Sequence, residues 1–203
     1  MQKNLKKARS SYDISASVFN SVMSRESEIV KDYYTNEEFR VFFRNKKNTS
    51  SQGFKTELYY YAGENIKAGT LIKINDKTYL AINCGTAENT LYKRSDLFEC
   101  NIIMKFFNNG QNLTIPGFSY SLTSVFGDSF PRISSVSGNM QILTQDNDTA
   151  RKVSIGTIIQ ALDCHWLVNG RILQNGLIKL YVKKQSENPS FTLEHKFSEG
   201  VIF

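Results

Sequence analysis

The sequence predicts a mainly β protein: two small β-barrel or sandwich-like units related by an internal repeat, with an N-terminal amphipathic helix ahead of them. Three observations predict it. The first is a phrase written twice. Gly69-Thr70-Leu71-Ile72 is followed by Tyr79-Leu80-Ala81, and Gly156-Thr157-Ile158-Ile159 by Trp166-Leu167-Val168, with glycine and aromatic ten positions apart in both copies. The second is that β-rich runs flank each copy, Glu57 to Tyr61 and Asn101 to Phe106 around one, Met140 to Leu143 and Leu177 to Val182 around the other. The third is composition: 14 Phe and 10 Tyr against a single Trp lean towards strands.

The elements follow in order. Residues 13–33 carry the helical period, with Val18, Phe19, Val22, Met23, Ile29, Val30 and Tyr33 on one broad face and Asp13 as N-cap. A break near Ser24 to Ser27 divides this helix into two shorter ones. Such a stripe needs a partner, either the β units or a neighbouring subunit. From Glu38 the period changes to a strand over Phe39 to Phe43, followed by a polar loop at 45–53 and a strand from Lys55 to Ala62. Thr70 to Ile74 and Thr78 to Ile82 form a hairpin around Asn75-Asp76-Lys77. A short strand at Thr90 to Lys93 precedes a long one from Phe98 to Phe107, and the polar cluster Asn108 to Asn112 reads as the linker between units.

The second unit starts at Leu113 to Ile115 and Phe118 to Tyr120, and then carries a long Ser/Gly-rich loop at 121–139. Strands follow at 140–145, 155–160, 164–168 and 177–184, the last two joined through Asn175-Gly176. The resulting division is a helical arm at 1–34, a first β unit at 35–108, a second at 109–185 and a C-terminal arm at 186–203. The arm alternates at period two through Phe191 to Phe197 and finishes on Val201-Ile202-Phe203. That apolar finish reads either as a strand tucked into its own core or as an addition to a neighbouring subunit.

Bulk properties exclude several classes. Hydrophobic content of 40% with 22% charged residues is that of a folded chain rather than a disordered one. The net charge of +6 suits an acidic partner, yet the only dense basic segment is Lys3, Lys6, Lys7 and Arg9. No leader and no run of 18 apolar residues is present, so neither a signal peptide nor a membrane span is expected. Cys84, Cys100 and Cys164 are odd in number and lack CxxC spacing, which favours buried free thiols in a reducing compartment over a disulfide framework or a zinc site.

The search for chemistry returns no catalytic, cofactor or metal motif. His165 lies between Cys164 and Trp166 in an expected strand, where neighbours point to opposite faces, so Cys164 and His165 cannot pair. Glu57, Glu64, Asp76, Glu88, Asp96 and Glu99 fall mostly at expected turns with no acid–base spacing, and no P-loop, GxGxxG or HExxH occurs. A single-strand-binding barrel would use Tyr59, Tyr60, Tyr61, Phe106 and Phe107 with Lys55, Lys73 and Lys105, but consecutive aromatics in a strand place half of them inward. The chain is expected to be non-enzymatic. Each β unit is also small enough to be marginal alone and to leave edges that need cover.

The stretches from Glu64 to Phe106 and from Met140 to Lys184 resemble the neck components of tailed bacteriophages of Gram-positive hosts, the head-completion (head-closure or stopper) proteins. The likeness covers about residues 55–107 and 140–185. It implies a virion structural protein of the head–tail connector, assembled in the host cytoplasm: a homo-oligomeric ring that closes the portal channel and docks the tail. Its implied partners are portal and adaptor proteins above, tail terminator or tail proteins below, and packaged DNA through non-specific contact. Channel loops of that family would fall on 121–139 or 45–53. Alternatives are a tail-tube, tail-terminator or baseplate component, or a single-stranded nucleic-acid-binding barrel. The residues expected at subunit or neck contacts are Val18, Val22, Phe126, Phe130, Val201, Ile202 and Phe203.

Overall fold

The computed structural model describes residues 11–46, 55–86, 91–121 and 138–185. The chain is mainly β and forms two closed, six-stranded antiparallel barrels. Barrel 1 contains β1 (Glu28–Asp32), β2 (Glu38–Lys46), β3 (Lys55–Tyr61), β4 (Leu71–Ile74), β5 (Lys77–Thr86) and β6 (Tyr92–Glu99). Barrel 2 contains β7 (Ile102–Asn108), β8 (Gln111–Ser121), β9 (Asn139–Gln145), β10 (Ile158–Ala161), β11 (Cys164–Gln174) and β12 (Leu177–Lys184). Helix α1 (Ser11–Glu26) precedes them, and the one-turn α2 (Asp148–Arg151) lies between β9 and β10.

Both barrels have the same topology. Around barrel 1 the strands run β1-β2-β3-β6-β5-β4, and barrel 2 repeats that order as β7-β8-β9-β12-β11-β10. Each closes at the equivalent and most sparsely paired seam, β1 on β4 through Lys31↔Lys73 and Asp32↔Ile72, β7 on β10 through Gln160↔Lys105.

The repeated phrase has one local cause in both copies. The Thr70 hydroxyl accepts from the Lys67 N–H at 3.0 Å, and the Thr157 hydroxyl accepts from the Ser154 N–H at 3.1 Å. The glycine that precedes each threonine has positive φ, +92° at Gly69 and +89° at Gly156, the region where a Cβ is penalised. Its N–H then donates across to the next strand, Gly69 to the Ala81 carbonyl and Gly156 to the Val168 carbonyl, both at 2.8 Å. Gly-Thr therefore makes the corner that leads into the fourth strand of each barrel. Leu71 sits opposite Leu80 and Ile158 opposite Leu167, so the two copies superpose register for register.

Alternation fills the interiors. In β7, Ile102, Met104 and Phe106 are buried while Ile103, Lys105 and Phe107 are exposed, and in β3 Leu58 and Tyr60 point inward. Trp166 is inside barrel 2, its indole N–H donating to the Ala161 carbonyl at 2.9 Å.

Several boundaries differ from the sequence reading. The helix ends at Glu26, and Glu28–Asp32 is a strand of barrel 1, so the arm 1–34 is part helix and part barrel. The expected long strand Phe98 to Phe107 is two strands, β6 and β7, which belong to different barrels. The units therefore divide at Cys100-Asn101 rather than at 108–109, and the expected linker Asn108 to Asn112 is the β7–β8 hairpin, with Asn109 and Gly110 at positive φ. The expected turn at 146–150 contains α2, whose Asn147 N-cap accepts from the Ala150 N–H at 2.8 Å.

Candidate functional site

The chemistry-bearing side chains are built into the barrels rather than gathered at a cleft. In barrel 1 the Tyr60 hydroxyl lies 2.9 Å from the Ser95 hydroxyl, and Ser95 Oγ lies 2.8 Å from Cys84 Sγ. Burial pushes both the Tyr60 phenol and the Cys84 thiol up from their ordinary values. Cys100, between the barrels, is pushed up to about 12, first by burial and then by Glu99. A thiol needs its thiolate to act as nucleophile or metal ligand, so raised values describe inert sulfur. All three cysteines are free, Cys164 against the barrel 2 core.

His165 is exposed on β11 while Cys164 turns inward, as strand alternation requires. His195 lies outside the described residues. Among the described residues no group of three or more His, Cys, Asp or Glu side chains is placed to hold a metal ion, and no helix is long and apolar enough to cross a membrane.

One charged cluster stands on the outer face of barrel 1, where Glu57 on β3 faces Asp96 on β6. Glu57 accepts from the Tyr59 hydroxyl at 2.8 Å and lies 3.7 Å from the Arg94 guanidinium, and Asp96 accepts from the Asn83 side-chain amide at 3.1 Å. The cluster joins β3, β5 and β6 across their outer surface.

The aromatic set considered for nucleic-acid stacking does not form one platform. Tyr60 is buried in barrel 1 and Phe106 in barrel 2, and Lys73 lies over the Tyr33 ring at 4.8 Å. Tyr59 and Tyr61 do face outward, with Tyr92 beside them, but Phe19 of α1 covers that face. Its ring stacks on Tyr92 at 4.8 Å and meets Tyr61 edge-on at 5.3 Å.

The expected contact residues on α1 are placed differently from each other: Val18 is exposed and Val22 half-buried. Phe126, Phe130, Val201, Ile202 and Phe203 lie outside the described residues, as do most of loop 121–139 and of loop 45–53.

The most constrained surface is one that the sequence reading missed, the junction of the barrels. A Cβ built on Gly69 would collide with the Gly176 carbonyl, and one built on Gly176 with the Ala68 carbonyl, so the two backbones approach to a distance only glycine allows. Around them Leu71, Leu80 and Ile82 of barrel 1 pack with Leu143 and Leu177 of barrel 2, and Phe98 stacks on Phe118 at 4.5 Å. Asn101 fixes the connection. Its Oδ1 accepts from the Ser119 N–H at 2.8 Å and hydroxyl at 3.1 Å, and its amide donates to the Ser119 carbonyl at 3.0 Å. Glycines at two turns gave no sign in the sequence that they face each other.

No protein-family model matches this chain, and no curated protein matches it. Among solved structures, the K. pneumonia MrkH–c-di-GMP complex is similar over 93% of this chain and 90% of that one, at 8% identity and a TM-score of 0.27. A likeness at that score carries no argument about this chain.

Proposed function

We propose that this protein is a non-enzymatic structural component, a ring-forming subunit of the head–tail connector at the neck of a tailed-phage virion, as the resemblance of its repeats implies. The observation that carries the reading is the barrel junction. The chain uses its repeated unit as a packing module, one barrel seated on the other through backbone contact at Gly69 and Gly176 and an apolar ring around it. A module that packs on its own repeat is suited to serial assembly, whereas an enzyme needs converging, activated groups. The inert thiols of Cys84 and Cys100 support the same side. Portal and adaptor proteins on one side and tail proteins on the other are the partners this role requires, and the net charge of +6 suits passing contact with packaged DNA.

Reconstitution tests it. The full chain, mixed with the virion's portal–adaptor complex, is expected to add a further ring visible by electron microscopy. A chain that binds no virion protein overturns the proposal. So does saturable binding of single-stranded DNA that weakens steeply with salt, or of a small nucleotide, cyclic dinucleotides included, which would make the barrels a ligand-binding module instead.

A further inference from the structure

The internal repeat allows each barrel's surfaces to be compared with their counterparts, and one counterpart is uncovered. In barrel 1 the face around the Gly-Thr corner is the junction face: Gly69 is buried, and Leu71 and Leu80 are both 0% exposed, because barrel 2 sits on them. The register equates these residues with Gly156, Ile158 and Leu167, and Ala68 with Ile155. There Gly156 is exposed, and a Cβ built on it would meet nothing within 4 Å. Ile158 and Leu167 are only half-buried, and Ile155 is 66% exposed. Ile103 and the turn residue Leu162 are also exposed, but at the other end of β10, where their counterparts Ile29 and Asn75 lie outside the junction of the barrels. Part of the face has lost its apolar side chains: the register equates Phe98 with Lys183 and Ile82 with Gly170, which follows the bulge at Asn169. The apolar remainder is therefore smaller than the junction inside the chain.

The opposite surface of the repeat shows what such a face receives. Barrel 2 meets barrel 1 with the start of β12 and its neighbours, Leu177, Leu143 and Phe118. The equivalents in barrel 1 are Tyr92, Tyr59 and Phe42, since β6 opens at Tyr92 opposite Tyr61 as β12 opens at Leu177 opposite Gln145. That end is taken by α1, through Phe19 on Tyr92 and Tyr61. Helix α1 then turns a second apolar row outward, Ile14 at 53% and Val18 at 59% exposed. The order of contacts is α1 on barrel 1, barrel 1 on barrel 2, and the Gly156 face of barrel 2 bare among the described residues.

We propose that the Gly156 face of one copy receives the α1-capped end of a second copy, so that Ile155 packs against the Ile14–Val18 row head to tail. The contact repeats, between molecules, the way one barrel follows another inside the chain. It is heterologous, using different surfaces on the two partners, and such contacts close into rings or run on as filaments according to the rotation between copies. The inference rests on the ring-assembly reading and adds the surfaces that would serve it.

Two substitutions at well-exposed positions test it, Ile155→Lys and Val18→Glu, each on the full chain and checked for native circular dichroism. Sedimentation velocity from micromolar to submillimolar concentration is expected to show the unaltered protein associating and each variant alone remaining monomeric. An equimolar mixture of the two variants should form a dimer and stop there, because each keeps the one surface that the other lacks. Association of the unaltered chain that neither substitution reduces overturns this contact while leaving ring assembly by another surface standing. Loss of association in Ile155→Lys with no rescue by mixing overturns the head-to-tail arrangement in favour of a symmetric one. A chain that is monomeric throughout, but associates once residues 186–203 are removed, overturns it in favour of the C-terminal arm as occupant. A monomer in both forms overturns the contact and, if it also fails to join the portal–adaptor complex, the assembly reading with it.

Discussion

Gly69, Gly156 and Gly176 separate two costs that one glycine usually combines. At Gly156 an added Cβ meets open space, so Gly156→Ala pays only for positive φ, about 1–2 kcal/mol. At Gly69 the same backbone strain is joined by collision with the Gly176 carbonyl, and overpacking adds about 1–3 kcal/mol more. Urea titration of the two alanine variants is expected to rank Gly69→Ala as clearly the more damaging; equal losses would show that the barrels do not touch there. Cys100 supplies a pH dependence. Burial holds its folded value at about 12, above that of a thiol in the unfolded chain. Below the ordinary thiol range both states are protonated and the group has no effect on stability. Above it the unfolded state loses its proton first, so stability falls as pH rises towards 12, with a limiting slope of about 1.4 kcal/mol per pH unit. Cys100→Ala should flatten that alkaline slope in denaturation curves, and native Cys100 should react with iodoacetamide far more slowly than the same thiol in denaturant.

Among the elements, α1 depends on two buried side chains more than on its own propensity. Its sixteen residues include five serines, poor helix formers, so packing must hold it. Phe19, buried between Tyr61 and Tyr92, and Met23, fully buried, are the side chains that hold it. Phe19→Ala is expected to cost about 3 kcal/mol and to remove helical ellipticity while the strand signal persists, as far-UV circular dichroism during titration would show. The helix was legible from period, but its end was not. Ile29 and Val30 fit a helical stripe as well as they fit β1, and a short apolar run is ambiguous until its hydrogen-bond partner is known. The same limit hid the break between β6 and β7. Apolar residues run almost without pause from Leu97 to Phe107, and only the pairing of β6 with β5 and of β7 with β8 assigns them to two barrels. The hairpins fared better, because Asn75 and Asn175-Gly176 state their backbone conformation locally.

At the scale of the molecule, the junction should make the two barrels unfold together. Trp166, the single tryptophan, lies inside barrel 2, whereas Cys84 reports on barrel 1. Tryptophan fluorescence and thiol exposure at Cys84 are therefore expected to give one coincident transition in the unaltered chain and two in Gly69→Ala. Coincidence in both would mean that Asn101 and the apolar ring suffice without the glycine contact. Of the expected contact residues, the sequence reading placed Val18 on one face with Phe19 and Met23, whereas the structure buries those two and leaves Val18 exposed; the junction and the bare Gly156 face were beyond reach. The matching phrases in the sequence gave no hint that one copy is covered and the other is not.

What the sequence determined by itself was the number and kind of its building blocks: a helix, then two copies of a small barrel unit, each with a Gly-Thr corner and an aromatic ten residues on. Those features are set by backbone dihedrals and by the period of apolar side chains, both local. Tertiary structure alone decided where one barrel stops and the next begins, and which of two equivalent faces is buried. Strand pairing and surface contact join residues far apart in the chain, and their free energy depends on what lies opposite rather than on what lies next in sequence.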